Sequence, residues 1–497
     1  MSKTEYEFDI PTPLPDGWDW MPLEDLMDQP MQDIVDGPFG SNLKASEYTE
    51  DGIPIARLQN VNRNEFVYKN IKYVTKEKAK ELSRHTFKPG DILITKLGDP
   101  LGEACIAPST IGYGVIVADL VRVRPSESKV DRRYLAYAIN SPLIERQFEK
   151  HTKGTTRPRV NLGMIRKLPI PVAPRVMHAG IVGEIEKQFS RLDEAIANLK
   201  RVKANLKRYK AAVLKAAVEG RLVETEASIA RREGRSYETG EQLLQRILES
   251  RRTQCKGKGK YKEPAAPDTT ELPELPDGWV WSSLNYLGDA IGGLTKNPKR
   301  AKFKRKLPYL RVANVYANEL RLNEIEQIGV EDNELEKLLV HKGDLLIVEG
   351  NGSPDQIGRL AIWDGSITPC VHQNHLIKVR LQTGCIPGWA MSWLMSPDGR
   401  RQVKNVASST SGLYTLSIGK ISSMTIPLPP INEQTRIISE IERRLSIIHV
   451  SEAQVDVNLQ RAERLRQSVL SSAFSGHLLS VKHSVAPSDS TLVSRSA

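Results

Sequence analysis

The sequence predicts an α+β fold made by tandem duplication, in which a mixed α/β domain is followed by a long helix and this pair then occurs again. Three observations predict it. The turn LPDGWDW (14–20) returns as LPDGWVW (275–281). Short β-rich segments separated by Gly and Pro turns fill the ~150 residues after each turn. A proline-free heptad pattern then follows in both halves. The two long helices are expected to pair as an antiparallel coiled coil.

Each mixed domain begins at the Pro-Asp-Gly-Trp turn, in which Pro presets φ and Gly takes the positive-φ position. The rest of the repeat keeps the same order at offsets of 253 to 256 residues. The turn KPGDILI (88–94), which leads into an apolar strand, matches HKGDLLI (341–347). The other matched pairs are IPIARLQNV with LPYLRVANV, GEACIA with GRLAIW, ADLVRVR with NHLIKVR, INSP with LMSP, LPIPVAP with MTIPLPP and KAAVEGRL with SSAFSGHL.

The long helices follow a Pro-rich stop and carry apolar residues at heptad spacing. The first seam contains Ile185, Leu192, Leu199, Leu206 and Val213, with Val202 and Tyr209 beside it. The second contains Ile441, Leu445, Ile448, Val455, Leu459, Ala462, Leu465 and Val469. A helix of about 40 residues is ~60 Å long, and an apolar stripe of that length needs a partner helix. We expect each long helix to be the other's partner.

These elements predict six segments. The first mixed domain is expected at 1–174 and its helix at 175–222, followed by a linker at 223–272. The second domain is expected at 273–430, its helix at 431–480 and a disordered tail at 481–497. Within the linker we predict one short amphipathic helix (241–251), and its Lys/Gly/Pro-rich remainder is typical of a solvated segment.

Composition points to a polyanionic partner, because the formal net charge is +11. Nucleic acid is the first candidate and an anionic membrane surface the second. The sequence has no apolar run of the ~18–20 residues that a membrane span needs and no N-terminal signal, so a cytoplasmic protein without membrane attachment is expected. Cys105, Cys255, Cys370 and Cys385 form no paired motif and are expected to be reduced.

Catalytic motifs are missing from the sequence. It contains no phosphate loop of the form GxxxxGK[ST], no dinucleotide-binding GxGxxG after a strand, and no Asn/Asp-Pro-Pro-Tyr/Phe run of the aminomethylase kind. We therefore expect a non-catalytic chain without a cofactor of its own, and expect any catalysis to belong to a partner.

Three regions are candidates for DNA contact. The run CVHQNH brings Cys370 close to His372 and His375, with Cys385 further on, but the spacing is unlike paired zinc ligands. A polar strand end whose His372, Asn374 and His375 hydrogen-bond base edges is favoured over a metal site. The loop HTKGTTRPRVNL holds Thr155, Thr156, Arg157 and Arg159, and arginine suits guanine or phosphate. The basic run KRAKFKRK, which is either a phosphate contact or a solvated face, supplies Lys299, Arg300, Lys302, Lys304, Arg305 and Lys306.

Taken together, these stretches resemble the specificity subunit of a type I restriction-modification enzyme. The resemblance covers nearly the whole chain and depends on GPFGSNL (37–43) before GIPIARLQNV, GTTRPRVNL, the KGKGKYKEP linker, the LPDGW turns and IPLPPINEQTRIISEIE (426–442). It implies that each mixed domain is a target-recognition domain that reads one half of an asymmetric, bipartite DNA site. Ser41 and Asn42 of GPFGSNL are therefore further candidates for DNA contact. The two copies differ in these loops: GPFGSNL is replaced by GGLTKNP, and GTTRPRV is replaced by SSTSGLYT. This difference predicts that the two domains read different half-sites.

The resemblance also implies partners. Two DNA adenine methyltransferase subunits are expected along the helices, with two restriction/translocase subunits, and S-adenosylmethionine, ATP and magnesium are expected on those partners. The helices would act as a ruler, since ~60 Å spans half-sites that lie ~34 Å apart. The first copy departs from the family pattern, because it reads APRVMHAG where the second reads PPINEQTR. This difference argues against a partner contact made symmetrically through Glu and Gln. A repressor-like tandem DNA binder and a coiled-coil scaffold remain alternatives.

Overall fold

The computed structural model describes residues 6–8, 10, 13–39, 42–154, 158–254, 263–410 and 412–478. The predicted tail (481–497) and most of the KGKGKYKEP stretch lie outside these residues. The chain divides into two compact units. The first unit comprises residues 1–200 with 456–497, and the second comprises 201–455. Each unit contains one mixed domain and a stretch of both long helices.

The first unit is built from short strands around two four-stranded sheets. One sheet has the strand order Ile34–Asp36, Leu120–Val123, Ile92–Thr95, Ala104–Ile106, and the other has the order Lys72–Val74, Ile53–Ala56, Gly114–Ile116, Thr86–Phe87. The remaining strands pair as Asp19–Pro22 with Pro169–Val172 and Val61–Asn62 with Glu65–Phe66. The α-helices before the long helix are Pro30–Asp33, Lys76–Glu81, Arg132–Ile139, Pro142–His151 and Leu162–Arg166.

The second unit repeats this arrangement. Its four-stranded sheet has the order Gly288–Gly292, Leu376–Leu381, Leu345–Val348, Leu360–Ile362, and a three-stranded sheet has the order Glu326–Gly329, Lys306–Leu310, Val371–His372. The other sheets join Val280–Ser283 with Thr425–Leu428, Val315–Tyr316 with Glu319–Leu320, and Gly350–Asn351 with Leu413–Thr415 and Ser408–Thr410. The helices of this mixed domain are Leu284–Leu287, Leu335–Leu338, Pro387–Met395, Pro397–Val406 and Ile418–Ser422.

The duplication extends to individual side chains. Asn60 is buried and its Nδ2 donates to the carbonyls of Val67 and Lys69, both at 2.9 Å. In the second unit, buried Asn314 makes the same pair of bonds to Arg321 and Glu324.

A buried ion pair is repeated in the same way. Asp91 accepts from Arg124 at 2.9 and 2.8 Å, and Asp344 accepts from Arg380 at 2.8 and 2.7 Å. Both aspartates are at most 2% exposed. The predicted α+β fold with tandem duplication is therefore confirmed.

The long helices are His178–Val218 and Ile431–Phe474. In the first unit, the start of the first long helix packs with the end of the second, where Ile185 and Phe189 share a core with Leu470 and Phe474. In the second unit, the end of the first helix shares a core with the start of the second, through residues that include Val213 and Ile441. The helices are antiparallel in both units, as the seams predicted.

Exposure along the predicted seams is uneven. Ile185, Val213, Ile441, Ile448 and Val455 are buried, whereas Leu192, Leu199, Leu206 and Val469 are half-buried. Val202, Tyr209 and Leu465 are more than two-fifths exposed. The prediction that these three residues belong to the buried seam was wrong.

A buried polar side chain attaches each mixed domain to the start of its long helix. In the second unit, Gln434 donates from Nε2 to the Pro429 carbonyl at 2.9 Å and accepts at Oε1 from the backbone N–H of Ile386, also at 2.9 Å. In the first unit, His178 occupies the corresponding position. Its Nε2 bonds the Ala173 carbonyl at 2.8 Å, and its Nδ1 accepts from the backbone N–H of Asp131 at 3.2 Å. We call these two groups of bonds the helix clamps.

The same clamp region contains a second substitution between the copies. Tyr134 stacks on the imidazole of His178, with ring centroids 3.9 Å apart, and donates from its hydroxyl to the Pro171 carbonyl at 2.9 Å. In the second unit, Trp389 donates from Nε1 to the Pro427 carbonyl at 2.8 Å. The hydrogen bonds are thus kept while the residue types change.

The segment between the copies is more ordered than its composition predicted. It forms two helices, Glu226–Glu233 and Gly240–Gln254, rather than one. Leu243, Leu244, Ile247 and Leu248 of the second of these helices are buried in the core of the second unit. The predicted amphipathic helix (241–251) is therefore confirmed, and the helix Glu226–Glu233 before it was not predicted. None of the helices described is long and apolar enough to cross a membrane.

The helix clamp of the first unit makes a testable prediction about pH. Because Nδ1 accepts from a backbone N–H, His178 must be neutral, and burial lowers its pKa below the ordinary value. The unfolded chain therefore takes up this proton at a higher pH than the folded chain. The contribution of His178 to stability is complete above the unfolded pKa of ~6.5 and is lost as the pH falls below it.

We therefore expect His178→Gln, which installs the side chain of the second clamp, to reduce the loss of stability between pH 7.5 and 5.5. Urea unfolding midpoints at the two pH values measure this. His449→Gln, an exposed position on the second long helix, is the control and should leave the loss unchanged. An equal loss in His178→Gln and wild type would contradict the prediction.

Candidate nucleic-acid interface

Four segments of the first unit meet at the end of its buried strand Ile92–Thr95. They are residues 36–39, 95–98, 117–120 and 158–160, which we call the first junction. Its centre is Lys96, whose backbone N–H donates to the Asp119 carbonyl at 2.8 Å and whose carbonyl accepts from Val160 N–H at 3.0 Å. Gly98 N–H donates to the Pro158 carbonyl at 2.8 Å. Backbone groups alone thus join three of the segments.

The second unit has the same arrangement in residues 292–294, 348–351, 372–376 and 413–416, the second junction. Glu349 occupies its centre. The backbone N–H of Glu349 donates to the His375 carbonyl at 2.9 Å, and its carbonyl accepts from Leu416 N–H at 2.8 Å. Gly350 pairs with Thr415, as Leu97 pairs with Arg159 in the first junction.

A glycine closes each junction where two stretches of backbone nearly touch. A Cβ built on Gly37 would lie 2.0 Å from the Val117 carbonyl oxygen, and one on Gly293 would lie 2.1 Å from the His372 carbonyl oxygen. Real Cβ atoms do not approach this closely, so any other residue would displace the fourth segment. This requirement explains why the otherwise different stretches GPFGSNL and GGLTKNP both keep a glycine here.

The charges at the two junctions are opposite. Lys96 donates from Nζ to Asp36 at 2.5 Å and lies 5.3 Å from the ring centroid of Phe39. At the second junction, the Glu349 Oε2 lies 3.4 Å from His375 Nδ1. The same backbone arrangement therefore holds a lysine paired with an aspartate in one unit and a glutamate beside a histidine in the other.

The structure places several of the sequence-predicted residues at the junctions. Arg159 is exposed and pairs with Leu97 in the first junction, and Asn42, just outside that junction, is also exposed. Asn374 and His375 lie on the turn of the second junction, where His375 is exposed. Ser41, Thr155, Thr156 and Arg157 lie outside the described residues. The direct role of these residues in DNA contact stays a prediction.

His372 requires a correction. Its side chain is fully buried and its Nδ1 bonds the Leu376 carbonyl at 3.0 Å. Burial lowers the pKa of this imidazole to about 4, so it is neutral at ordinary pH. The prediction that His372 contacts base edges was wrong, because strand pairing with Leu310 turns its side chain into the domain.

The basic residues of the run 299–306 fall into two groups in the structure, those with internal partners and those that are exposed. Arg300 donates to the Glu334 carboxylate at 2.9 and 2.8 Å and to the Gly329 carbonyl at 3.2 Å. Arg305 donates to Asp332 at 2.7 Å. The prediction of DNA contact was wrong for Arg300, which is committed to internal partners. Lys299, Lys302, Lys304 and Lys306 are exposed and stay candidates for phosphate contact.

Sequence reasoning missed three residues at the junctions. Lys96 and Glu349 looked like ordinary strand ends, although alignment of the two copies would have shown a charge reversal at a shared position. Phe39 is 69% exposed in the GPFGSNL turn. An exposed aromatic ring beside polar loops is suited to contact with nucleic-acid bases.

The cysteines and histidines are not arranged as a metal site in the described residues, where no group of three His, Cys, Asp or Glu side chains could hold an ion. Cys105, Cys370 and Cys385 are free and buried, and burial raises the pKa of each thiol to about 12. These thiols are therefore protonated and inert. Cys255 lies outside the described residues.

Comparisons with known proteins agree with this geometry. Residues 276–454 match the family model described as the type I restriction modification DNA specificity domain. The type I restriction enzyme EcoKI specificity subunit of Escherichia coli (strain K12) is 24% identical over 479 residues, covering 94% of this chain and 90% of the relative. The StySPI specificity subunit of Salmonella potsdam is 23% identical over 475 residues, with the same coverage.

Solved structures show the same fold. One of them comes from a structure that describes complex assembly and conformational transition of the type I R-M system. It superposes with a TM-score of 0.64 at 16% identity, and the match covers 94% of this chain and 100% of that one. The HsdS subunit from Thermoanaerobacter tengcongensis gives a TM-score of 0.51 at 16% identity, covering 94% and 99%. The chain thus resembles type I specificity subunits along nearly its whole length.

The division of the basic run predicts two different mutant phenotypes. Arg300→Ala should lower the free energy of unfolding by ~2 kcal/mol, because it leaves a partly buried carboxylate without its donor. Its effect on the salt dependence of DNA binding should be small. Lys302→Ala should leave stability within ~0.5 kcal/mol and lower the slope of log K against log salt by about 1.

Urea unfolding and DNA binding of the full chain at several salt concentrations would measure the two effects. Lys304→Ala tests a second exposed lysine of the same run. A reduced salt slope in Arg300→Ala with unchanged stability would contradict the assignment.

Proposed function

We propose that this chain is the sequence-specific DNA-binding subunit of a type I restriction-modification complex, in which each unit reads one half of an asymmetric, bipartite site. The observation that carries the proposal is the pair of junctions. One backbone arrangement is built twice, and different side chains occupy it. Such a pair is suited to two half-sites of different sequence, since base edges are distinguished by the donors and acceptors that face them.

In this function the long helices set the spacing between the half-sites. They also supply surfaces to methyltransferase subunits. The second long helix carries Ile447 and Val450, whose side chains are 57% and 69% exposed. Exposed apolar side chains on a helix that is already paired are suited to contact with a further protein.

Catalysis belongs to the partners in this proposal. Methyltransferase subunits would bind S-adenosylmethionine and modify adenine, and restriction/translocase subunits would use ATP and magnesium. Two copies of each are proposed, because the chain is duplicated. The missing phosphate loop and aminomethylase motif in the sequence support this division of labour.

The function predicts a methylation mark that depends on this chain. When the chain is produced in cells with its methyltransferase partner, single-molecule sequencing should find methylated adenine at a split motif with a fixed gap. The mark should be missing when only the partner is produced. A partner that methylates equally well without the chain would overturn the proposal, and specific binding by the isolated chain would then favour a repressor-like protein.

The assignment of one half-site to each unit can be tested by exchange. Replacing residues 1–174 by the corresponding segment of a relative should change one half of the methylated motif, because this segment holds every loop of the first junction. The other half should stay the same. A change in both halves would contradict independent reading.

The docking surface makes a separate prediction. Val450→Ser should reduce co-purification of the methyltransferase with this chain severalfold, because it places a hydroxyl in an apolar contact. Glu442→Ser, at an exposed polar position on the same helix, is the control. Equal recovery of the partner with both variants would exclude Val450 from the contact.

A further inference from the structure

The centre of the second junction is an acidic residue in a protein of net charge +11. Glu349 follows the buried strand Leu345–Val348, and its backbone is held on both sides by the bonds to His375 and Leu416. Glu349 is the first residue beyond this strand, whose four residues are all buried. The side chain is 30% exposed. Its position is therefore fixed by the fold while its carboxylate reaches the surface.

A carboxylate is poorly suited to phosphate contact. Phosphate groups carry the negative charge of DNA, and their contacts are made by Lys and Arg. The base edges also offer hydrogen-bond donors, namely N4 of cytosine and N6 of adenine. An ionised carboxylate only accepts hydrogen bonds, so among the groups of the major groove it selects these amino groups.

The contact with His375 leaves the carboxylate able to bind a base. His375 Nδ1 lies 3.4 Å from Oε2. A carboxylate has about four acceptor positions on its two oxygens. One neighbouring histidine therefore leaves acceptor positions for a further donor.

The first junction has a different side chain at the central position, as expected if the two units read different half-sites. Lys96 has the same backbone bonds but carries a donor, its side chain is only 10% exposed, and it is held by Asp36. The acceptor that Glu349 presents thus has no counterpart at this position of the first unit. The backbone arrangement itself does not require a carboxylate, since the same arrangement forms around lysine.

We propose that Glu349 is a specificity-determining residue of the second half-site, where its carboxylate accepts a hydrogen bond from the amino group of a cytosine or an adenine. This inference rests on the proposed function. It also names the position at which that function distinguishes bases in one half of the site.

Single-molecule methylation sequencing of the complete complex in cells tests it with three variants. Glu349→Gln keeps the shape of the side chain but adds a donor, and Glu349→Lys installs the residue of the first junction. Glu336→Gln is the matched control, because it removes the same charge from an exposed position of the short helix Leu335–Leu338 in the same unit.

If the base is cytosine, we expect Glu349→Gln to lower methylation at wild-type sites about 10-fold or more, as for the loss of one base contact. Sites that differ at one base of the second half should gain methylation in comparison. If the base is adenine, glutamine can bind both N6 and N7, so Glu349→Gln should keep the wild-type base and Glu349→Lys should lose it. In Glu349→Lys the preferred base at that position should become guanine or thymine, which present acceptors. The first half-site should be unchanged, and Glu336→Gln should behave as wild type.

The outcomes separate this inference from the function on which it rests. Wild-type motif and efficiency in both Glu349 variants would overturn the inference and leave the function standing. Methylation that does not depend on the wild-type chain would overturn both.

If a Glu349 variant methylates nothing, the purified complex can be used to select bound DNA from a pool with a randomised second half-site. A changed base at one position supports the inference, and the wild-type base at every position overturns it.

Discussion

The two backbone hydrogen bonds at the end of one buried strand are the constraint on which each unit depends. In the first unit they join Lys96 to Asp119 and Val160, and in the second they join Glu349 to His375 and Leu416. Each pair joins two further segments of the chain to the end of that strand. Because only backbone atoms take part, the bonds form with any residue except proline at the central position. Sequence can therefore vary where the geometry is held constant.

The helix clamps fix each mixed domain to its long helix by the same principle, with one difference. Here the side chain itself makes the bonds, so the replacement must have a donor and an acceptor at suitable positions. The amide of Gln434 and the neutral imidazole of His178 both meet this condition. The first copy has thus kept the clamp while losing the Glu-Gln pair of the second.

The clamps also give a structural reason for that Glu-Gln pair. Gln434 is fully buried, and buried Glu433 accepts from the Trp279 indole and from the backbone N–H of Glu226, both at 2.9 Å. Side chains with these internal partners hold the unit together. The departure of APRVMHAG from the pattern is accordingly a change in internal packing, and a partner contact through these groups is not needed to explain the motif.

The fold could be predicted from the sequence because the duplication shows the pattern of most elements twice. A strand such as KPGDILI occurs twice at nearly the same offset as the other matched segments, which indicates duplication, and the heptad seams identify the helices. The candidate site could be predicted only in outline. Burial of His372 depends on its parallel pairing with a strand 62 residues earlier in the chain, and the internal bonds of Arg300 depend on Glu334, which lies 34 residues away. Local composition contains neither contact.

The internal pairing of some basic residues shows why net charge alone is a poor guide to this site. Arg300 and Arg305 count toward the formal charge of +11, yet both are paired with carboxylates of the same domain. Glu349 counts against that charge, yet it lies at the centre of a junction. Affinity for DNA comes mainly from cations that reach phosphates, whereas discrimination comes from donors and acceptors that meet base edges. An acidic residue here costs some attraction to every DNA sequence, and that cost is offset only on sequences that present an amino group to it.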